Sequence, residues 1–358
     1  MSDHESNKKA KSRYRRRMTV LIILEVFFLA LTLFMTFCYA VVQRKWSLVE
    51  TINFVDGEIE ANVLESEAVA VQEKYTTIIF FGVDARDNDS LVDEANADTD
   101  IICCINNETK EIRLVSILRD TFLETSSGKH GKLTAHYAAY GVREALNTIN
   151  RDFDLMIGNY VTVNWKAVAD TIDLMGGMDI EMSAAEGKAI NQFIWEVIDA
   201  TGIQSQKVSE TGGLYHLDGV QTVTYARIRS VGKEDITRAE RQRTVIRLML
   251  EKAKDMNMAT LSRIADTVLP GISTSLRLND ILSLLSFVGD YEIGLTATVP
   301  FEGYYINQEG GSYYVYCDTL VDNVSMLHKI LYDEKDYEPS TYVKELSKYI
   351  TKYAKRHP

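Results

Sequence analysis

The chain has 358 residues, 46% of them hydrophobic and 25% charged, with 39 Lys and Arg against 51 Asp and Glu for a net charge of −12. That allows one large core or two modest ones and excludes collagen-like, Pro-rich and low-complexity chains. The acidic balance disfavours nucleic acid as a partner, which would ask for a basic footprint. The four cysteines, at 38, 103, 104 and 317, have neither metal-ligand spacing nor the density of a disulfide frame.

The charge is unevenly placed. Residues 1–18 form a basic tail, with seven Lys and Arg and two acids in the first 17. Residues 19–42, TVLIILEVFFLALTLFMTFCYAVV, carry one charge, Glu25. As a helix this run spans ~36 Å, enough for a hydrocarbon core of ~30 Å. A buried core helix is the alternative, but such helices are rarely apolar on every side. A basic block beside the span keeps the N-terminus cytoplasmic and places the rest outside. The apolar stretch is longer than a signal-peptide h-region.

Residues 43–74 read as a partly helical stalk, 75–332 as the folded domain and 333–358 as a charged tail prone to fray. Strands are expected at 76–84, 99–106 and 112–120, the last two joined as a hairpin by the turn residues Asn106 to Thr109. Cys103 and Cys104 fall in an apolar run and read as buried thiols. The pattern then gives a helix at 135–149, a strand at 159–164, a helix at 168–175 closed by Gly176-Gly177, and a strand at 178–182. Helices follow at 185–200 and 217–225. Thr237 and Glu240 have capping-box spacing and open a helix that runs to about Lys254. A helix near 278–288, strands near 292–300 and 313–317, and a helix at 320–332 complete the pattern. Apolar strands interleaved with helices point to an α/β fold, a three-layer α/β/α sandwich with a central mixed sheet, preceded by the membrane helix.

Two groups of residues carry chemistry. Asp84 and Arg86 follow a strand directly, and Asp98 opens the next. Carboxylates at strand ends sit where open sheets bind ligands, and two of them with water and phosphate oxygens suit Mg²⁺. Asp100 shares a face with Asp98 if the chain is extended, and serves as a further ligand candidate. Alternatively, these acids only cap turns. The second group is basic: Arg119 at a strand end, Arg227 and Arg229 as Arg-x-Arg, and Arg238, Arg241 and Gln242 as one stripe of a helix. Arg238 in a first helical turn opposes the helix dipole, a conflict that a bound anion resolves. The alternative is a solvated face paired with Glu234, Asp235 and Glu240. His130, His136 and His216 show no catalytic context, and there is no G-x-S-x-G, H-E-x-x-H or P-loop.

The segments GVDARD (82–87), ADTD (97–100), VSILRD (115–120), NYVTVNW (159–165), GGMDIEM (176–182), HLDGVQTVTYARIR (216–229) and RAERQR (238–243) occur in this order. As an ordered set they resemble the LytR-CpsA-Psr family of cell-wall enzymes of Gram-positive bacteria, over roughly residues 75–330. The resemblance implies a membrane-anchored extracellular phosphotransferase. Such an enzyme moves an anionic glycopolymer, such as wall teichoic acid or capsule, from an undecaprenyl-pyrophosphate carrier to a peptidoglycan hydroxyl, making a phosphodiester. It also implies an apolar pocket for the polyprenyl tail, Mg²⁺ on Asp84 and Asp98, and pyrophosphate contacts from Arg86, Arg119, Arg227, Arg229, Arg238 and Gln242. Among these, Asp84, Arg86, Arg119, Arg227 and Arg229 form the implied catalytic set. Two positions depart from the family pattern: Asn96 where it has Arg, and Leu118 where it has Pro. The base for the attacking hydroxyl is expected among Asp84, Asp98 and Asp100. The competing readings are a polyprenyl-pyrophosphate phosphatase and a non-catalytic wall-polymer binder.

Overall fold

The computed structural model describes residues 57–84, 95–301, 305–309 and 312–356, with Leu91 and scattered residues between 32 and 54. The chain divides into an N-terminal unit, 1–48, and a second unit, 49–358. In the first, the described residues between Thr32 and Trp46 are helical. The expected basic tail and most of the expected membrane helix lie outside the described residues. No helix among the described residues is long and apolar enough to cross a membrane.

In chain order the second unit contains β1 (Glu50–Thr51), α1 (Ser66–Gln72), β2 (Tyr75–Val83), β3 (Ala97–Asn106), β4 (Glu111–Ile117), β5 (Phe122–Glu124), β6 (His130–Lys132), α2 (Leu133–Phe153), β7 (Asn159–Asn164) and α3 (Trp165–Leu174). It continues with β8 (Met178–Met182), α4 (Ala184–Thr201), β9 (Gly213–Leu217), α5 (Gly219–Arg227), α6 (Glu234–Lys254), α7 (Met258–Val268) and β10 (Ile272–Thr274). The last elements are α8 (Leu278–Ser286), β11 (Glu292–Val299), β12 (Tyr305–Glu309), β13 (Ser312–Tyr316), α9 (Leu320–Tyr332) and α10 (Thr341–Arg356). Seven strands form one mixed sheet in the order β1-β10-β7-β2-β3-β4-β11.

The sheet is buried on both faces because its central strands are apolar at nearly every position. In β3, Ile102 and Cys104 pack with Phe81, Val115 and Ile117 against Leu146 of α2, Leu327 of α9 and Ile350 of α10. The alternate residues Ile101, Cys103 and Ile105 pack against Ile246 and Leu250 of α6. Each such side chain stabilises the fold by about 1.5–3 kcal/mol on burial. A separate core joins α3, α4 and α5 to the antiparallel pair β8-β9. The expected α/β sandwich with a mixed sheet is therefore found. Cys103 and Cys104 are buried free thiols as expected, and burial pushes the Cys104 thiol up to about 12.

Several local expectations are corrected. The stretch read as a stalk contributes β1 to the sheet edge, and Gln72 of α1 bonds Asp154 O and Met156 N at 3.0 Å. Residues 341–356 of the tail expected to fray are ordered as a helix. They form α10, whose Val343, Leu346 and Ile350 are buried in the main core. The Thr237–Glu240 capping box does not form, because the helix begins three residues earlier, at Glu234. Thr237 Oγ1 instead accepts the Lys233 N–H at 2.8 Å. Arg238 therefore lies in the second turn, and the argument from the helix dipole lapses.

His136 is buried, with neither ring nitrogen hydrogen-bonded to a described residue. Burial, with His130 adding to it, pushes it down to about 4. The unfolded chain therefore binds a proton between about pH 6.5 and 4 that the native state refuses, so stability falls as pH drops through that window. Thermal melts of His136→Gln should show a shallower loss over this range than the wild type. Equal slopes would contradict the assignment.

Candidate active site

The site lies at one end of the central sheet. β3 runs antiparallel to both β2 and β4, so the end of β2, the start of β3 and the end of β4 meet there. Asp84, Asp98 and Arg119 occupy those three positions. Gly82 pairs with Thr99 and Val83 with Ala97, leaving Asp98 as the extra residue of a β-bulge. Bulges re-aim side chains and are common beside active sites. The bulge breaks the alternation expected for Asp98 and Asp100. Asp98 and Thr99 line a cavity, whereas Asp100 sits opposite Phe81 and Ile117 in the buried layer. Asp100 is 2% exposed, and neither of its carboxylate oxygens is hydrogen-bonded to a described residue. Burial first, then Asp98, raises its carboxyl well above the usual range.

The cavity has a volume of about 1040 Å³ and is lined by Asp98, Arg119, Arg227, Arg229, Arg238 and Gln242. These expected residues come from three distant stretches of chain. Asp84 is exposed beside the cavity, donates its backbone N–H to Asn96 O at 3.3 Å, and acts electrostatically on Arg227. Arg86 lies outside the described residues. Leu118 is in the cavity wall, and its N–H bonds Val299 O at 2.9 Å. A proline there could not make that bond.

Local chemistry fixes each basic group. Asp218 caps α5 through a capping box with Gln221. At the start of α5, a Cβ on Gly219 would fall 2.1 Å from Ala169 O, so only glycine lets α5 approach α3 this closely. Arg227 is the last residue of α5, so Arg227 and Arg229 do not form the extended pair expected. Its guanidinium lies 3.6 Å from the Trp165 ring centre and donates to Glu196 Oε2 at 3.3 Å. Burial lowers its pKa, although Glu196, Asp84 and Asp98 pull the other way.

Arg229 and Arg238 share Asp235 Oδ1, each at 3.0 Å. Burial pushes Arg238 down to about 10. Arg119 bonds Asp98 and lies 3.7 Å from Asp120. Burial works against its charge, but Asp98 and Asp120 outweigh it and raise its pKa. In each case an acid holds the guanidinium in place, and an incoming anion would compete for its donors.

The RAERQR motif divides its labour. Arg238 and Gln242 face the cavity, whereas Arg241, expected in the same stripe, is turned away. It donates to Glu186 Oε1 at 2.8 Å, Ile228 O at 2.9 Å and Val231 O at 3.0 Å. Arg243 ties α6 to the sheet through Ser116 Oγ at 2.6 Å and Thr298 Oγ1 at 3.0 Å. The sequence reading missed Trp165, Phe193, Glu196 and Lys132, which also line the cavity. The helix carrying Phe193 and Glu196 was visible, but not which of its faces would meet the arginines; no element was expected at Lys132 or Trp165.

Among the described residues no group of three or more His, Cys, Asp or Glu is placed to hold a metal ion. Asp84 and Asp98, on neighbouring strand ends, fit an ion that takes its other ligands from water and phosphate.

The chain is similar to known proteins in sequence and fold. Over 308 residues the chain is 24% identical to the polyisoprenyl-teichoic acid–peptidoglycan teichoic acid transferase TagV of Bacillus subtilis, covering 83% of this chain and 75% of that one. A structure of TagT bound to LIIa-WTA superposes with a TM-score of 0.59 at 20% identity, covering 80% of this chain and all of that one. The family protein YwtF (TagT) with bound octaprenyl pyrophosphate lipid superposes at 0.54 and 19%, over 78% of this chain and 99% of that one. A model of the LytR_cpsA_psr family matches residues 48–329, spanning most of the described fold and the whole cavity. The chain belongs to the LytR-CpsA-Psr family.

Proposed function

We propose that the chain is a phosphotransferase that moves an anionic glycopolymer from a polyprenyl-pyrophosphate carrier to a peptidoglycan hydroxyl. The observation that carries this reading is the convergence of Arg119, Arg227, Arg229 and Arg238 on one cavity. Such a cluster suits two adjoining phosphates, because planar guanidinium forks match phosphate oxygens and lose little of their strength in a partly dry site. Leu118, Ile228 and Ile236 supply apolar wall beside it, which suits the start of an isoprenoid tail. Relatives named for the same transfer, and a neighbour with bound octaprenyl pyrophosphate, support it.

Mg²⁺ would be held by Asp84 and Asp98 and would neutralise charge on the diphosphate. Arg119, already bonded to Asp98, orients that carboxylate and faces the same anion. Arg227, held by Trp165 and Glu196, keeps donors for the phosphate oxygens. In this reading, residues 19–42 anchor the enzyme in the membrane with the N-terminus cytoplasmic and the cavity outside. Anchoring holds the site within reach of a lipid confined to the bilayer and raises its effective concentration.

Lipid-linked polymer, peptidoglycan fragments and Mg²⁺ incubated with the full chain should give polymer-linked peptidoglycan. Polymer phosphate and prenyl phosphate without linked product would indicate hydrolysis by the phosphatase, and binding without turnover the non-catalytic binder. Chelation should stop transfer, and Mg²⁺ should restore it; full activity in chelator would end the metal assignment.

A further inference from the structure

We propose that Glu196 is the base that takes the proton from the acceptor hydroxyl, and that α4 around it forms the acceptor-sugar wall of the cavity. This rests on the transferase reading above. It differs from the sequence expectation, which sought the base among Asp84, Asp98 and Asp100.

Asp98, Asp120, Glu196, Glu234 and Asp235 are the described carboxylates that line the cavity. Asp235 holds both Arg229 and Arg238. Asp120 holds Lys132 at 3.0 Å and lies near Arg119. Asp98 is bonded to Arg119 and stands at the strand end beside Asp84, where the metal is assigned. Glu234 is exposed at the rim, and Asp100 is not on the wall. Glu196 is different. It is half-buried in the wall, and its one polar contact runs through Oε2 to Arg227 at 3.3 Å. Its Oε1 has no protein partner among the described residues.

Arg227 is itself one of the phosphate-facing guanidiniums, so Glu196 lies one side chain from the reacting centre. The contact also keeps Glu196 aimed. α4 is a rigid support: Ser183 and Glu186 cap it reciprocally, and Ile190, Ile194 and Val197 are buried in the core it shares with α3 and α5. One turn before Glu196, Phe193 lines the same wall, with Trp165 beyond. An aromatic shelf beside a carboxylate suits the apolar face and hydroxyls of a pyranose ring.

In the step, the acceptor O–H gives its proton to Glu196. The acceptor oxygen bonds the phosphorus that carries the glycopolymer. The bond from that phosphorus to the bridging oxygen breaks, and the electron pair leaves on the prenyl phosphate. The proton then passes from Glu196 to water.

The test uses full-length enzyme with lipid-linked glycopolymer and a soluble peptidoglycan oligosaccharide. A short-chain prenyl pyrophosphate serves as a separate binding probe. Glu196→Gln should lower transfer to sugar at least ~100-fold, within the range for a lost general base, while prenyl-pyrophosphate affinity stays at the wild-type value. Acetate added to Glu196→Ala should restore part of the transfer. Undiminished transfer in Glu196→Gln would overturn the proposal. So would a parallel loss of prenyl-pyrophosphate affinity, since Glu196 would then only be holding Arg227. Wild-type enzyme that transfers nothing would count against the transferase reading itself and remove this proposal with it.

Discussion

Replacing Arg227 with alanine is expected to lower kcat/KM for transfer by about 100- to 1,000-fold, the loss typical of one preorganised donor to a developing anion. The residue ends α5 with its guanidinium between the Trp165 ring and Glu196, and it lines the cavity beside Arg229. Its burial strengthens any charge-assisted bond to phosphate, because little water competes. Arg227→Lys should recover only part of the rate. An ammonium neither stacks on Trp165 as a plane nor forks onto two oxygens. The side chain is partly exposed, so melts of both variants should stay near the wild type. A folded Arg227→Ala enzyme with unchanged kcat/KM would remove this residue from the reaction.

The second large effect is on stability. Arg241→Met, which keeps the stem and removes the guanidinium, is expected to cost about 3 kcal/mol, the lower end for breaking a buried ion pair. Arg241 is 3% exposed and links Glu186 at the start of α4 to two carbonyls of the loop after α5. That loop carries Arg229, so activity should fall with stability. The pH dependence follows from Glu186. Burial works to raise its carboxyl, but bonds from the Ser183 N–H and hydroxyl and from Arg241 outweigh that and hold it below the usual value. A depressed carboxylate contributes stability that is present above its unfolded pKa, near ~4.3, and lost as pH falls through the lower folded value. Urea unfolding at neutral pH should show the full deficit of Arg241→Met, and the gap to wild type should narrow in acid. A deficit below about 1 kcal/mol, the scale of a surface pair, would contradict the anchoring role.

Much of the site was legible because its chemistry is carried by ordered short motifs at element ends. Asp98, Arg119, Arg227, Arg229, Arg238 and Gln242 were all named from sequence, and one cavity collects them. What was not legible depended on backbone detail. The bulge at Asp98 cannot be read from alternation, and it moved Asp100 out of the cavity wall. The Thr237–Glu240 spacing fitted a capping box, but Gly232 at φ 92° and the turn before Glu234 start the helix sooner. Glu196 sat in a helix whose existence was plain, yet which of its faces meets Arg227 depends on how α4 packs on α5. For α10, composition misled: the charge was noticed, and the spacing of Val343, Leu346 and Ile350 on one face was not.

A crystal structure of residues 49–358 with a short-chain prenyl pyrophosphate tests the central claim most directly. The account predicts the diphosphate within hydrogen-bonding distance of Arg119, Arg227, Arg229 and Arg238, with the first isoprene units against the apolar wall near Ile228 and Ile236. A diphosphate bound elsewhere, with these arginines still on their acidic partners, would contradict it.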